Sequence, residues 1–145
     1  MEYSIVTCPN PQMSAAKNMD CSYYPDCVEA EYLCGPSGYP LGYGLKYCNK
    51  FVDNFDLYDD AGQAWIEGTL ICLKTALLPL VSDKTGQTCD SLSAYAFNSH
   101  VDCYVDNGFC GLIYNFGHPI SEGKFIHALM KTYEVSDFAS FIAIK

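Results

Sequence analysis

The sequence predicts an all-α fold, a small disulfide-stapled helical bundle with a loop-rich N-terminal part. Apolar residues recur every three or four positions along most of the chain, and no long stretch alternates as a strand would. Nine cysteines are spread over the 145 residues, and none has a partner at the two-residue gap of common zinc or thioredoxin-type sites. This spread is typical of a disulfide framework in an oxidising compartment, so a secreted, extracellular protein is expected.

The N-terminal part carries the weakest helical signals. Residues 25–33 predict a helix, because Pro25 suits a first turn and Gly35 follows the end. Residues 35–44 predict a loop, since four glycines and two prolines occur in ten residues. A shorter helix that carries Cys48 comes next. Its residues at helical spacing are Tyr47, Phe51, Val52 and Phe55.

The clearest predicted helix covers residues 60–78. Asp59 or Asp60 supplies the N-cap, and Pro79 is expected to stop the helix. The apolar residues on one face are Ile66, Leu70, Leu73 and Leu77. Cys72 lies beside this face and is therefore expected to point at the core.

A second long helix is predicted over about residues 90–104, with Asn107 and Gly108 as its terminating turn. Beyond Cys110 the chain is expected to be irregular to about Ser121, and a last amphipathic helix then ends near residue 133. The sequence contains no internal repeat and no linker. We therefore expect residues 1–145 to form a single domain.

The charge balance argues against several partners. The net charge is −9, from 17 acidic residues and eight lysines, and the chain has no arginine. Nucleic acids and anionic membrane surfaces would be repelled, and the bidentate contacts that arginine makes are missing. No apolar run reaches the length expected of a membrane span, and residues 1–7 lack the pattern of a signal peptide, so we expect a mature or trimmed chain without membrane insertion.

Several motifs resemble the cysteine-rich core of the stanniocalcins. They are Cys48-Asn-Lys-Phe51, Gly62-Gln-Ala-Trp65 and Cys103-Tyr104, and the likeness is best over residues 48–112. The intervals between successive cysteines from Cys48 to Cys110, namely 24, 17, 14 and seven residues, are similar to those of the family. The resemblance implies a helical fold and a secreted, non-enzymatic, hormone-like protein that acts by binding an extracellular receptor or enzyme, or a second copy of itself.

The resemblance also implies a set of disulfides. The implied pairs are Cys8 with Cys27, Cys21 with Cys48, Cys34 with Cys89, and Cys72 with Cys103. Cys110 is then the odd cysteine. The resemblance implies a partner position for Cys110 at or just past Lys145, so either the chain is clipped there or Cys110 bridges to another subunit, and the sequence leaves both alternatives open.

Motifs for catalysis are missing, since the chain has neither a nucleophile elbow nor a P-loop nor a zinc-protease helix. We therefore expect no enzyme and no cofactor, with calcium as the one candidate ligand. Four carboxylates within eight residues are the candidate calcium site: Asp53, Asp56, Asp59 and Asp60. The alternative is that Asp59 and Asp60 cap a helix while the other two are solvated.

Twelve tyrosines are unusual for a chain of this length. Because tyrosine is enriched where proteins meet, four of them are candidate contact residues: Tyr23, Tyr24, Tyr39 and Tyr43. The alternative is that they pack in the core. Surface tyrosines and an odd cysteine together suggest a second function, a structural subunit of an extracellular matrix, coat or filament.

Overall fold

A computed structural model describes residues 8–113 and 128–133. Within these two ranges the chain contains helices and turns and no strand, so the predicted all-α class is confirmed. The elements are α1 (Pro11–Ala16), a first π-helix (Tyr24–Glu29), α2 (Ala30–Tyr32), a second π-helix (Tyr39–Leu45), α3 (Lys46–Asp53), a 3-10 turn (Phe55–Leu57), α4 (Asp60–Ala76), α5 (Leu78–Ser82), α6 (Cys89–Asp106) and α7 (Phe109–Ile113). Residues 128–132 form a further helical segment.

The two long helices begin at side-chain caps. The Asp59 carboxylate accepts a hydrogen bond from the Gly62 backbone N–H at 2.9 Å, which confirms the predicted cap of α4. At the start of α6, Thr88 Oγ1 accepts from the Ser91 N–H at 3.1 Å while Ser91 Oγ accepts from the Thr88 N–H at 2.8 Å. This reciprocal pair satisfies two donors that the helix itself leaves open.

Helices α4 and α6 pack as an antiparallel pair. Gly68 meets Asn107 and Cys72 is bridged to Cys103, so the contacts run in opposite directions along the two helices. The side chain of Trp65 crosses the pair, since its indole N–H donates to the Tyr104 carbonyl at 3.2 Å. This hairpin is the scaffold against which the shorter N-terminal elements pack.

One buried cation ties the N-terminal part to the hairpin. Lys74 of α4 has no exposed surface, and its Nζ donates to the carbonyls of Lys17 and Asp20, each at 2.7 Å. Burial lowers the pKa of the Lys74 ammonium, and the Asp20 carboxylate offsets part of this shift. The two hydrogen bonds hold the turn that follows α1, directly before Cys21.

Helices α4 and α5 together, Asp60–Ser82, are long and apolar enough to cross a membrane by length and composition alone. The expectation that no apolar run reaches this length was therefore wrong. The core helix of a globular fold passes the same test, and here Trp65, Ile66 and Leu70 are almost fully buried inside the protein. This packing accounts for the apolar residues on the face of the segment that meets the core.

Four details differ from the predicted elements. Helix α7, Phe109–Ile113, occupies positions at which the chain was expected to be irregular beyond Cys110. The segment expected to be a loop becomes helical at Tyr39, where the second π-helix begins. Pro79 does not stop α4, which ends at Ala76; it lies in the first turn of α5, where a missing N–H has no consequence. Helix α1 was not expected. The last predicted helix is observed at residues 128–132, and the rest of its range lies outside the described residues.

Candidate functional site

Four disulfides form the framework of the molecule. They are Cys8–Cys27, Cys21–Cys48, Cys34–Cys89 and Cys72–Cys103, the same four pairs that the stanniocalcin resemblance implies. Their Cα–Cα distances, 5.2 to 5.8 Å, lie in the usual range for disulfides. Four bridges in so small a chain are typical of extracellular proteins.

Cys110 is the one cysteine of the chain that is not bridged, and its position is exposed. It lies in α7, directly after Phe109, whose ring contacts Trp65 at a centroid distance of 5.6 Å. The backbone at Cys110 is thus anchored to the core through its neighbour. An exposed thiol on an anchored short helix is sterically open to a second molecule.

Aromatic side chains from three elements meet at the centre of the fold. The ring of Tyr39 lies edge-on to Phe97 at 5.4 Å and to His100 at 6.2 Å, and it stacks on Tyr43 at 5.9 Å. His100 is buried, and its Nδ1 lies 2.7 Å from the Ala96 carbonyl, to which it donates. This hydrogen bond fixes the orientation of the imidazole within the aromatic cluster.

The hydroxyl groups of this cluster are held in their neutral form. Burial raises the pKa of Tyr39 and of Tyr104 well above the usual range, and it raises the pKa of Tyr24 as well. A hydrogen bond between the Tyr39 and Tyr24 hydroxyls raises the pKa of Tyr39 further and opposes the rise in the pKa of Tyr24. The cluster therefore provides packing and hydrogen bonds at neutral pH, and none of these phenols is poised to act as a base.

A small cavity lies inside this cluster. Its volume is about 10 Å³, which is room for about one water molecule. The residues that line it are Tyr24, Tyr39, Tyr43, Gly44, Tyr47, Cys48, Phe51, Leu70, Leu73, His100, Tyr104 and Tyr133. In this conformation the cavity does not admit an organic substrate.

The tyrosine contact site predicted from the sequence is wrong for three of its four members. Tyr23, Tyr24 and Tyr39 are 0%, 2% and 6% exposed, and only Tyr43 is partly accessible. The two π-helices lie side by side, and the rings of Tyr24 and Tyr39 meet edge-on between them at 6.5 Å. The alternative reading, core packing, is the one observed.

The predicted calcium site is also wrong. Among the described residues, no group of three or more Asp, Glu, His or Cys side chains is placed to hold a metal ion. Asp59 points into the first turn of α4, where it caps the helix, and Asp60 is the first residue of that helix. Asp53 ends α3, while Asp56 lies in the 3-10 turn and is exposed. The four carboxylates are therefore divided among three elements, with Asp59 and Asp60 at the start of the same helix.

A second aromatic surface, which the sequence analysis missed, holds the helical segment 128–132. Ala128 is 2% exposed, and the Thr132 hydroxyl lies 2.8 Å from the Tyr58 hydroxyl. Tyr133 stacks on Tyr47 at 4.9 Å and meets Phe51 edge-on at 5.7 Å. The signals in the sequence are the amphipathic pattern of the last predicted helix and the four-residue spacing of two small side chains, Ala128 and Thr132, on one helix face.

Comparison of the chain with protein-family models, curated proteins and solved structures finds no match. The relation to the stanniocalcins stays a prediction that depends on the cysteine intervals and the motifs around them.

Proposed function

We propose that this chain is a secreted, non-enzymatic regulatory protein, similar to the stanniocalcins, that acts by binding other proteins. The observation that carries the proposal is the disulfide pairing. Eight cysteines allow 105 pairings, and the four bridges found are those that the family resemblance implies. The framework would give a rigid body whose surface presents contacts to a receptor, to an extracellular enzyme or to a second copy.

The interior supports a binding protein over an enzyme. The cavity has room for about one water and its walls are mostly aromatic rings, whereas a substrate pocket is a cleft of roughly 300 Å³ or more. His100 donates its Nδ1 proton to a carbonyl, and its neighbour Cys103 is bridged and has no thiolate to offer. These residues serve the packing of α6.

Size measurement with and without reductant tests the proposal. For the full chain secreted from a eukaryotic host, we expect a discrete dimer that reductant converts to monomer, with Cys110 as the linking residue. Cys110→Ser should abolish the covalent dimer, while Ser82→Ala, at an exposed position at the end of α5, serves as the control. If the chain forms extended polymers, or if it stays inside the cell with its thiols reduced, the proposal is wrong.

The second candidate is a structural subunit of an extracellular matrix, coat or filament. Burial of Tyr23, Tyr24 and Tyr39 removes most of the tyrosine surface that motivated this hypothesis. The exposed Cys110 still favours it, because an unpaired thiol can link subunits into longer assemblies. The same size measurement separates the two candidates, since a single cysteine per chain closes a covalent dimer and extended polymers need a further contact.

A further inference from the structure

The bridge between Cys34 and Cys89 differs from the other three in its exposure. Each of the others contains at least one buried cysteine, 2% exposed in each case: Cys27, Cys48 and Cys103. Neither Cys34 nor Cys89 is buried. Since a thiol must reach a sulfur atom in order to reduce a disulfide, this is the bridge that is most open to attack in the folded protein.

The surface on both sides of this bridge is also open. Residues 82–88 lead into one of the two cysteines and are all exposed, and Leu33, which precedes the other, is 77% exposed. A β-carbon added at Gly35 or at Gly86 would have no neighbour within 4 Å. The two turns therefore leave space beside the bridge for an attacking thiol.

The two sulfurs are not equivalent as leaving groups. Cys89 is the first residue of α6, and the partial positive charge at the start of this long helix stabilises a thiolate there, although Asp90 opposes part of the effect. Glu29 disfavours a thiolate at Cys34, because its carboxylate holds a negative charge beside that cysteine. This carboxylate accepts hydrogen bonds from the backbone N–H groups of Cys34 at 3.2 Å and of Gly35 at 2.8 Å. Cys89 is therefore the better leaving group.

We propose that Cys34–Cys89 is a reducible bridge, at which a dithiol reductant of the thioredoxin type reversibly uncouples residues 8–53 from the hairpin of α4 and α6. One thiolate of the reductant attacks the Cys34 sulfur, and the bond between the two cysteines breaks with its electron pair on Cys89. The second thiol of the reductant then attacks the mixed disulfide and releases Cys34. The reductant is oxidised to its own disulfide, and its two protons are transferred to Cys34 and Cys89.

Contacts around the bridge would keep the two thiols close together after reduction. The Cys89 sulfur lies 3.6 Å from the Tyr32 carbonyl oxygen, to which the new thiol can donate. The Tyr32 hydroxyl donates to the Leu80 carbonyl at 2.8 Å. The Lys84 ammonium donates to the Glu31 carbonyl at 2.7 Å. Both of these hydrogen bonds join the segment before one cysteine to the segment before the other, so the bridge can form again.

Reduction would weaken the aromatic contact between the two parts of the molecule. Tyr39 and Tyr43 pack on Phe97 and His100 of α6, and Cys34–Cys89 is the one disulfide that joins residues 8–53 to the hairpin. The other three bridges lie within one part or the other. Reduction of this bridge therefore leaves each part with its own disulfides and removes only the link between them.

Partial reduction of the Cys110→Ser protein under native conditions tests the proposal, because this variant lacks the unbridged thiol. Dithiothreitol and a thioredoxin with its regenerating reductase are used in parallel, and the liberated thiols are alkylated and located by peptide mass mapping. We expect alkylation of Cys34 and Cys89 to be at least roughly tenfold faster than that of the cysteines in the other bridges. Equal rates for all four bridges, or earlier reduction of another one, would overturn the proposal. Selective reduction by dithiothreitol but not by thioredoxin would overturn the protein reductant and assign the bridge to small thiols.

A thioredoxin whose second active-site cysteine is replaced by serine stops the reaction at the mixed disulfide. We expect this intermediate at Cys34, with Cys89 alkylated, and an equal share at Cys89 would overturn the direction of attack. Near-ultraviolet circular dichroism of the dithiothreitol-reduced protein should show weaker tyrosine signals that recover on reoxidation, and an unchanged spectrum would overturn the uncoupling. None of these results depends on secretion or on the family resemblance, so failure here is distinct from failure of the proposed function.

Discussion

The N-terminal region, residues 8–53, and the hairpin of α4 and α6 are stabilised in different ways. The longest helix of the N-terminal region has eight residues, and the hairpin helices have 17 and 18. Two bridges lie wholly within the N-terminal region, one lies within the hairpin, and Cys34–Cys89 joins the two. Short helices are marginal on their own, so covalent links compensate where local structure is weak.

The caps follow the same division. Both hairpin helices have a side-chain cap, while α2, α3 and both π-helices have none. In the N-terminal region Asn10 caps α1 through the Met13 N–H at 3.1 Å. The hairpin is thus specified by local signals, whereas the N-terminal region is specified by bridges and by the packing of its tyrosines.

Removal of the joining bridge should have the largest effect. Cys34→Ser together with Cys89→Ser opens a loop of 55 residues, and we expect the free energy of unfolding to fall by about 4 kcal/mol. Denaturant unfolding measures the loss. Hydrogen exchange should show that residues 8–53 lose protection before α4 and α6, and earlier exposure of the hairpin would contradict the comparison.

Alkaline pH should act mainly through the buried tyrosines. Burial raises the folded-state pKa of Tyr24, Tyr39 and Tyr104 above the unfolded value near 10. The stability that they contribute is present below pH 10 and is lost as pH rises, by about 1.4 kcal/mol per group for each pH unit between the two values. Absorbance at 295 nm should show their ionisation only as the protein unfolds.

Tyr39→Phe supplies the control for this prediction. It removes one titrating group, so the fall in stability above pH 10 should become shallower. Val101→Ala, which changes a side chain that is 45% exposed and does not titrate, should leave the slope unaltered. If the core phenols ionise at pH 10 without unfolding, the N-terminal region is more loosely packed than its burial indicates.

Two of the glycines at close contacts, Gly44 and Gly68, allow a direct comparison of the regions. A β-carbon at Gly44 would lie 2.5 Å from the Tyr24 ring, which is enclosed, so Gly44→Ala should lower the free energy of unfolding by roughly 2 kcal/mol. A β-carbon at Gly68 would meet the Asn107 side chain, which can rotate away at the loss of its 2.7 Å hydrogen bond to the Cys103 carbonyl. Gly68→Ala should therefore cost about 1 kcal/mol. Thermal unfolding of both variants shows which one loses more stability. A larger loss for Gly68→Ala than for Gly44→Ala would contradict this prediction.

The hairpin could be predicted from the sequence because its signals are local. Asp59 at the cap, the apolar face that includes Leu70, and Asn107 with Gly108 at the end of α6 all lie within a few residues of the element they define. Gly108 has φ +97°, which favours glycine at the end of a helix. The covalent frame was also expected, but only through the family resemblance.

The N-terminal region and the packing of residues 128–133 could not be predicted in this way. The bonds of a π-helix leave no periodicity that distinguishes residues 39–45 from a loop rich in glycine and proline. Burial of Tyr23 and Tyr39 depends on the two π-helices lying side by side. The hydrogen bond between Tyr58 and Thr132 joins residues 74 positions apart, so no local sequence pattern near either residue predicts it.

The smallest effect is expected at the cap of α4. Asp59→Ala removes the acceptor for the Gly62 N–H, and we expect a loss of about 1 kcal/mol in the free energy of unfolding. Asp56→Ala, in the 3-10 turn, should change stability by less than about 0.5 kcal/mol, because its exposed side chain is a surface position.

Thermal unfolding with and without calcium chloride measures both roles of these carboxylates. If calcium raises the thermal unfolding midpoint of the wild type but of neither variant, the two side chains share an ion. The interpretation of Asp59 as only a helix cap of α4 would then be wrong. If the unfolding midpoints are equal with and without calcium and only Asp59→Ala lowers the stability, then the stabilisation comes from the one hydrogen bond between the Gly62 N–H and the Asp59 carboxylate. This is the helix start that the sequence pattern predicted.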